Sequence, residues 1–183
     1  MIHNVLQALC KDLNLFLKSR FSVQEELVVL SELMNMDGSV AVTAENRMIC
    51  SLLSVEQERI NINAPRINNK VLTNPPFNLN LYVLFSAFYA ASNYLEALKA
   101  LSYTIGFFQG KQVFTPANTP GLDPNIDKIT IEIVNVDLKD MSNFWTALGA
   151  KHLPCMLFRI RMVSITSDII LEETPEIRTL DTP

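Results

Sequence analysis

The sequence predicts an α+β domain: a mostly antiparallel sheet of four or five strands, with helices packed mainly on one face. Three observations lead there. Periodic patterns follow one another along the 183 residues as helix, strand, strand, strand, helix, strand, helix, strand. The chain carries no charge between Lys70 and Glu96, and inside that run both alternating residue sets are apolar, which describes a strand covered on two faces. Two stretches repeat apolar residues at steps of three and four, the seam of a helix against a core. The length is that of one domain able to bury a core, and we expect it over residues 1–171, followed by an acidic, flexible tail at 172–183.

The first helix is read from Val5, Leu6, Leu9, Leu13, Phe16 and Leu17, with Lys11, Asp12, Lys18 and Arg20 toward the other side. Residues 27–33 (LVVLSEL) form a short strand ended by the turn signal Asn35-Met36-Asp37-Gly38. A longer strand covers 48–59, apolar on both faces at first and polar later, as when a strand runs out beyond its sheet. Residues 61–78, with six asparagines and three prolines, read as a long loop, and long loops in compact domains are often functional. The two-sided strand spans 81–89. It precedes a helix with the seam Tyr94, Leu98, Leu101, Ile105 and Phe108, begun by Ser92 or Asn93 as N-cap with Glu96 completing a capping box. A Pro-rich loop at 115–125 leads to a strand at 128–137. A short helix follows, with Asp140 as N-cap and Gly149 as the left-handed C-terminal cap. Residues 156–166 close the sheet, with Arg159 and Arg161 on one face. With the helices on one side, the second face of the central strand must meet a loop or another subunit.

Composition removes several function classes. The net charge is −4 and no basic run occurs, so no nucleic-acid footprint is visible. Asn78, Asn80, Ser86, Ser92 and Asn93 interrupt the uncharged run, which therefore does not read as a membrane span. Cys10, Cys50 and Cys155 are odd in number and far apart, neither a disulfide framework nor a metal spacing, and they suit a reducing cytoplasm. The N-terminus lacks the features of a secretory signal.

Candidate chemistry is sparse. His152 lies three residues before Cys155, but Cys155 stands at a strand entrance and reads as a small buried apolar residue, making a cysteine-dependent enzyme a remote alternative. Glu56 and Glu58 share one face of an outrunning strand and read as a solvated strand end rather than an acid–base pair. Arg159 and Arg161 read as cross-strand partners of a carboxylate such as Glu132, and Phe107, Phe108 and Phe114 as core. No phosphate loop, dinucleotide turn or zinc motif occurs in the chain. We expect no enzyme, no catalytic, metal or cofactor-binding residue and no cofactor, but a protein-binding domain.

Residues 74–116, NPPFNLNLYVLFSAFYAASNYLEALKALSYTIGFFQGKQVFTP, are more specific than their parts. With the flanking helix and strands, Trp145 in a short helix and the closing strand with Arg159 and Arg161, the chain resembles the tail-terminator, or cap, family of extracellular contractile injection systems, which are phage-tail-like particles. The resemblance covers about residues 3–170. It implies a phage tail-terminator-like fold and a structural protein without cofactor: a ring, expected to be a hexamer, that ends the inner tube and engages the last sheath layer. It thereby stops elongation and anchors the sheath for contraction. The implied partners are the chain itself, the inner tube protein and the sheath protein, with no nucleic acid and no membrane insertion. Assembly would be cytoplasmic, in a particle that can be released. The alternative is another tube- or baseplate-associated assembly protein of the same particle. Expected protein-binding residues are Asn68, Asn69 and Lys70 in the Asn-rich loop, Asn118 and Asp123 in the Pro-rich loop, Arg159 and Arg161, and Glu172 and Glu173 in the tail.

Overall fold

The computed structural model describes residues 1–58, 71–73, 77–165 and 170–173. Helix α1 (Ile2–Phe21) leads into strands β1 (Val28–Leu30), β2 (Arg47–Gln57), β3 (Val71–Thr73) and β4 (Phe77–Phe88), then helix α2 (Tyr94–Gly110). Strands β5 (Val113–Phe114) and β6 (Ile129–Ile133), helix α3 (Leu138–Leu148) and strands β7 (Cys155–Ile165) and β8 (Ile170–Glu173) complete the order. The α+β expectation holds, with a difference in the sheet. It has six strands in the order β1-β2-β4-β7-β6-β5. It is also mixed, because β1 runs parallel to β2 while the other neighbours are antiparallel.

The central strand was legible because it sits between two long partners. β4 pairs along most of its length with β2 on one side and β7 on the other, so its backbone is saturated and both of its faces are available for burial. Leu81, Val83, Phe85 and Ala87 enter the main core beneath α1 and α2, with Met48, Cys50, Phe158 and Ile160 from the flanking strands. Phe85, Phe108 and Phe158 form its centre, their ring centroids 4.9–5.6 Å apart, the spacing of favourable tilted and edge-on aromatic pairs. Phe107, Phe108 and Phe114 are buried as expected.

The opposite face corrects the expected placement of helices. Leu84 and Ile49 turn away from α1 and α2 and join Trp145 of α3, with Leu33 and Val42 from the β1–β2 connection, in a second core cluster. The face expected to await a loop or subunit is thus covered at this end by α3 and by residues 31–42. The physical reason is that α3 follows the short strand β6, and the 133–138 connection returns the chain over the face that α1 and α2 leave open.

Several local expectations also change. α2 buries Ala97, Ala100, Thr104, Phe107 and Phe108, a seam rotated from the expected one, so Tyr94 and Leu98 are exposed. The small side chains of Ala97 and Ala100 bring the helix close to the sheet, and the buried Thr104 hydroxyl donates to the Ala100 carbonyl at 2.8 Å. A short 3-10 turn, Ala91–Asn93, precedes α2, and Asn93 makes no cap bond. Its amide instead donates to Asn46 Oδ1 at 3.1 Å, while Glu96 pairs with Lys99 at 2.7 Å. Asp140 lies in the first turn of α3, whose N-cap is Asp137. Gly149 caps α3 at φ 65°, as expected of a residue that reaches the left-handed region without a Cβ penalty.

Two segments read as unstructured contain strands. β3 and the first residues of β4 lie within 61–78, and β8 extends from Ile170 to Glu173, antiparallel to β3 with Thr73 opposite Ile170 and Val71 opposite Glu173. Neither three- nor four-residue segment has a strong pattern of its own; each is a strand because of the other.

Candidate assembly surface

At the end of the sheet away from α3, β2, β4 and β7 continue past their shorter neighbours. β1 pairs only with Met48, Ile49 and Cys50 of β2, and β6 pairs with β7 only between Phe158 and Arg161. Beyond these points a three-stranded sheet projects. On the face that α3 covers elsewhere, the projection carries polar side chains at successive registers: Glu56 opposite Asn80, Tyr82 opposite Arg159, and Arg159 opposite Glu132.

These groups form a connected ladder. The Tyr82 hydroxyl donates to Glu56 Oε2 at 2.8 Å. Asn80 Nδ2 and Arg161 Nη2 both donate to Glu58 Oε2, each at 3.1 Å. Arg159 donates to Glu132 from Nε and pairs with it through Nη2, and Arg161 Nη1 lies 3.7 Å from the same carboxylate. Burial works against the Arg159 charge, yet the interactions with Glu132 and Tyr82 outweigh it and raise its pKa. The cross-strand reading of Arg159 and Arg161 with Glu132 is borne out. The solvated reading of Glu58 is not, because its side chain is 9% exposed, held by Asn80 and Arg161. Arg159 and Arg161 remain about one third exposed, and Glu132 slightly more.

The other expected protein-binding residues lie elsewhere. Asn118 is exposed and organises its own loop: its Oδ1 accepts from the Thr115 N–H at 2.9 Å and its Nδ2 donates to the Val113 carbonyl at 3.1 Å. Asp123 is partly buried; its N–H donates to Asn4 Oδ1 at 2.8 Å and its Oδ1 accepts from the Asn125 N–H at 3.0 Å. With Leu122 and Ile126 buried, this loop packs against the start of α1. Lys111 supports it, donating to Asp12 at 2.6 Å and to the Asn118 carbonyl at 2.7 Å. Glu172 and Glu173 end β8. Asn68, Asn69 and Lys70 lie outside the described residues. The expected residues that are described therefore fall on separate parts of the molecule: the 115–125 loop, β8, and the Arg159–Arg161 face of β7.

The cysteine chemistry finds little support in geometry. Burial pushes the Cys155 thiol up, opposed by a weaker interaction with the Trp145 indole, and the thiolate is the nucleophile that this environment disfavours. Exposed His152 lies against Trp145, their rings tilted at 58° with centroids 5.4 Å apart. Cys50, packed against Cys10, is likewise held well above the ordinary thiol range by that contact and by burial. Among the described residues no group of three or more His, Cys, Asp or Glu side chains is placed to hold a metal, and no helix is long and apolar enough to cross a membrane.

Solved structures share the fold. A sheath/tube terminator of an extracellular contractile injection system, PVC, in its extended state, matches with a TM-score of 0.69 at 14% identity, over 100% of this chain and 62% of the other. The anti-feeding prophage cap, described as an AFP tube terminating cap, matches with a TM-score of 0.58 at 15% identity, over 94% of this chain and 60% of the other. The chain thus spans about 62% of the length of the first of these relatives. No curated protein matches the sequence. The family model for the Pvc16 N-terminal domain matches residues 4–179, so the chain belongs to that family.

Proposed function

We propose that this protein is the structural cap of a contractile injection system, a ring that terminates the inner tube and engages the last sheath layer. The observation that carries this reading is the fold match along the whole chain to a sheath/tube terminator, supported by the family match over residues 4–179. Tube and sheath subunits stack through heterologous contacts, which leave an unsatisfied surface at the growing end. A ring that complements this surface below and offers no copy of it above stops elongation, and its grip on sheath anchors contraction. The role requires shape and contact, with no bond made or broken and no cofactor. Partners are the chain itself, expected as a hexamer, the tube protein and the sheath protein. Arg159 and Arg161 offer charge to a partner, while Asn118, Asp123, Glu172 and Glu173, with Asn68, Asn69 and Lys70, are candidates for the other contacts. Assembly takes place in the cytoplasm, and the finished particle is released.

Electron microscopy of the purified protein, alone and with tube and sheath, tests the reading. Rings seated at one end of each tube are the expected result. Monomers that ignore both polymers would sink it, and binding along the tube or at a baseplate would instead assign another assembly role in the particle.

A further inference from the structure

We propose that the outer edge of β2 pairs with the outer edge of β7 in a second copy of the chain, joining successive copies head to tail into one continuous sheet. This inference rests on the ring in the proposed function and names the contact that would close it.

Among the described residues, β2 has no strand partner on its outer side beyond Cys50. The Glu58 N–H donates to the Asn78 carbonyl at 2.8 Å, so in this antiparallel ladder Glu58 and Glu56 turn their backbone toward β4 while Gln57 and Val55 turn theirs outward. On the other side of the bulge between Leu52 and Ser54, the Cys50 carbonyl accepts from Ser31 of the β1 connection at 3.1 Å, which makes Leu52 outward-facing too. No hydrogen bond among the described residues occupies these outward groups. Natural edge strands are usually blunted by charged residues, proline, β-bulges or a covering element. This edge has a bulge between Leu52 and Ser54 and one charge, Glu56, but neither lysine nor proline between Leu52 and Gln57, and it exposes the apolar side chains of Leu52 and Val55 to about 40%.

The matching edge lies across the same three strands. β7 is paired on its outer side only as far as Arg161, while on its inner side it continues with β4 to Ile165 opposite Phe77. Both β2 and β7 are antiparallel to β4 and therefore run in the same direction. A ring axis running along the strands preserves that direction from copy to copy, so about such an axis one copy's β2 and the next copy's β7 meet as parallel strands in a heterologous contact. The two edges also lie level, since Gln57 and Val163 are both paired with Leu79.

Charge favours the same neighbour. Glu56 has a phenol partner, Tyr82, and no cation among those of the described residues. Arg161 is the last residue of β7 paired with β6, projects from the same face and is one third exposed. Pairing β2 with β7 of the next copy brings Glu56 beside that copy's Arg161, which within its own chain already pairs with Glu58 and Glu132. An extended segment of tube or sheath protein is the competing occupant.

Two measurements on the full chain decide the matter. In hydrogen exchange, the Leu52, Val55 and Gln57 amides should slow at least about 100-fold in the ring relative to dilute monomer, as opening becomes coupled to dissociation. In native mass spectrometry, Val55→Pro, which removes an outward donor and also fixes φ at about −65°, should lose rings at least about 10-fold, while Val55→Thr, which keeps the donor, should retain them. Wild-type rings whose three amides exchange freely, or Val55→Pro rings as abundant as wild type, overturn the edge contact and leave the cap reading standing. A wild-type chain that forms no ring, yet gains protection at these amides when tube or sheath is added, overturns self-pairing in favour of the competing strand. A wild-type chain that neither assembles nor meets the polymers overturns both readings.

Discussion

Asn14 is a polar residue on the buried side of α1, at a position where helical periodicity favours an apolar one. Its Oδ1 accepts the Leu27 and Val28 N–H groups at 2.7 and 3.2 Å, and its Nδ2 donates to Glu26. The side chain thus binds α1 to the entrance of β1, supplying acceptors for two backbone donors that the short edge strand would otherwise bury unpaired. Asn14→Ala leaves those donors unsatisfied and should destabilise the fold by about 2 kcal/mol, read as a lower urea midpoint at unchanged slope. Nothing local in the sequence marks Asn14 for this role, because its partners lie 12 to 14 positions away. Glu58 was obscure for the same reason: its burial depends on Asn80 and Arg161, brought beside it by the sheet. Arg159 was easier to read, because its alternation within β7 fixed its face and an acidic strand residue, Glu132, was available to oppose it.

Among the elements, α2 shows how an apolar pattern can be recognised while its orientation is missed. More of its surface is apolar than its contact with the sheet consumes, so periodicity admits more than one seam, and Ala97 and Ala100 win because they pack closest. Gly106 is at mid-helix, and a Cβ built there meets nothing within 4 Å. Gly106→Ala should therefore stabilise the isolated chain by about 0.5–1 kcal/mol through the lower backbone entropy of its unfolded state, measurable as a higher Tm. β3 and β8 illustrate the converse limit. A three- or four-residue strand has too few side chains to show alternation against its background, and only its partner reveals it.

The whole molecule is organised around a sheet covered on two faces by different parts of the chain. Trp145, the chain's one tryptophan and 4% exposed, centres the cluster beneath α3. Trp145→Ala should cost about 3–5 kcal/mol. Because β2 and β4 contribute to both clusters, far-ultraviolet and near-ultraviolet circular dichroism should still report a single coincident transition; separate transitions would show that the two sides unfold independently.

The sequence by itself determined the α+β class, the two helical seams in outline, the central strand with two buried faces and the resemblance carried by residues 74–116. These are short-range properties, set by residue spacing and chemistry along one segment. Tertiary structure alone decided that α3 crosses to the second face, that Glu58 lies under an arginine, and that β3 and β8 are strands. Each depends on residues far apart in the chain meeting in one register, and no local pattern encodes which of several compatible partners will be closest.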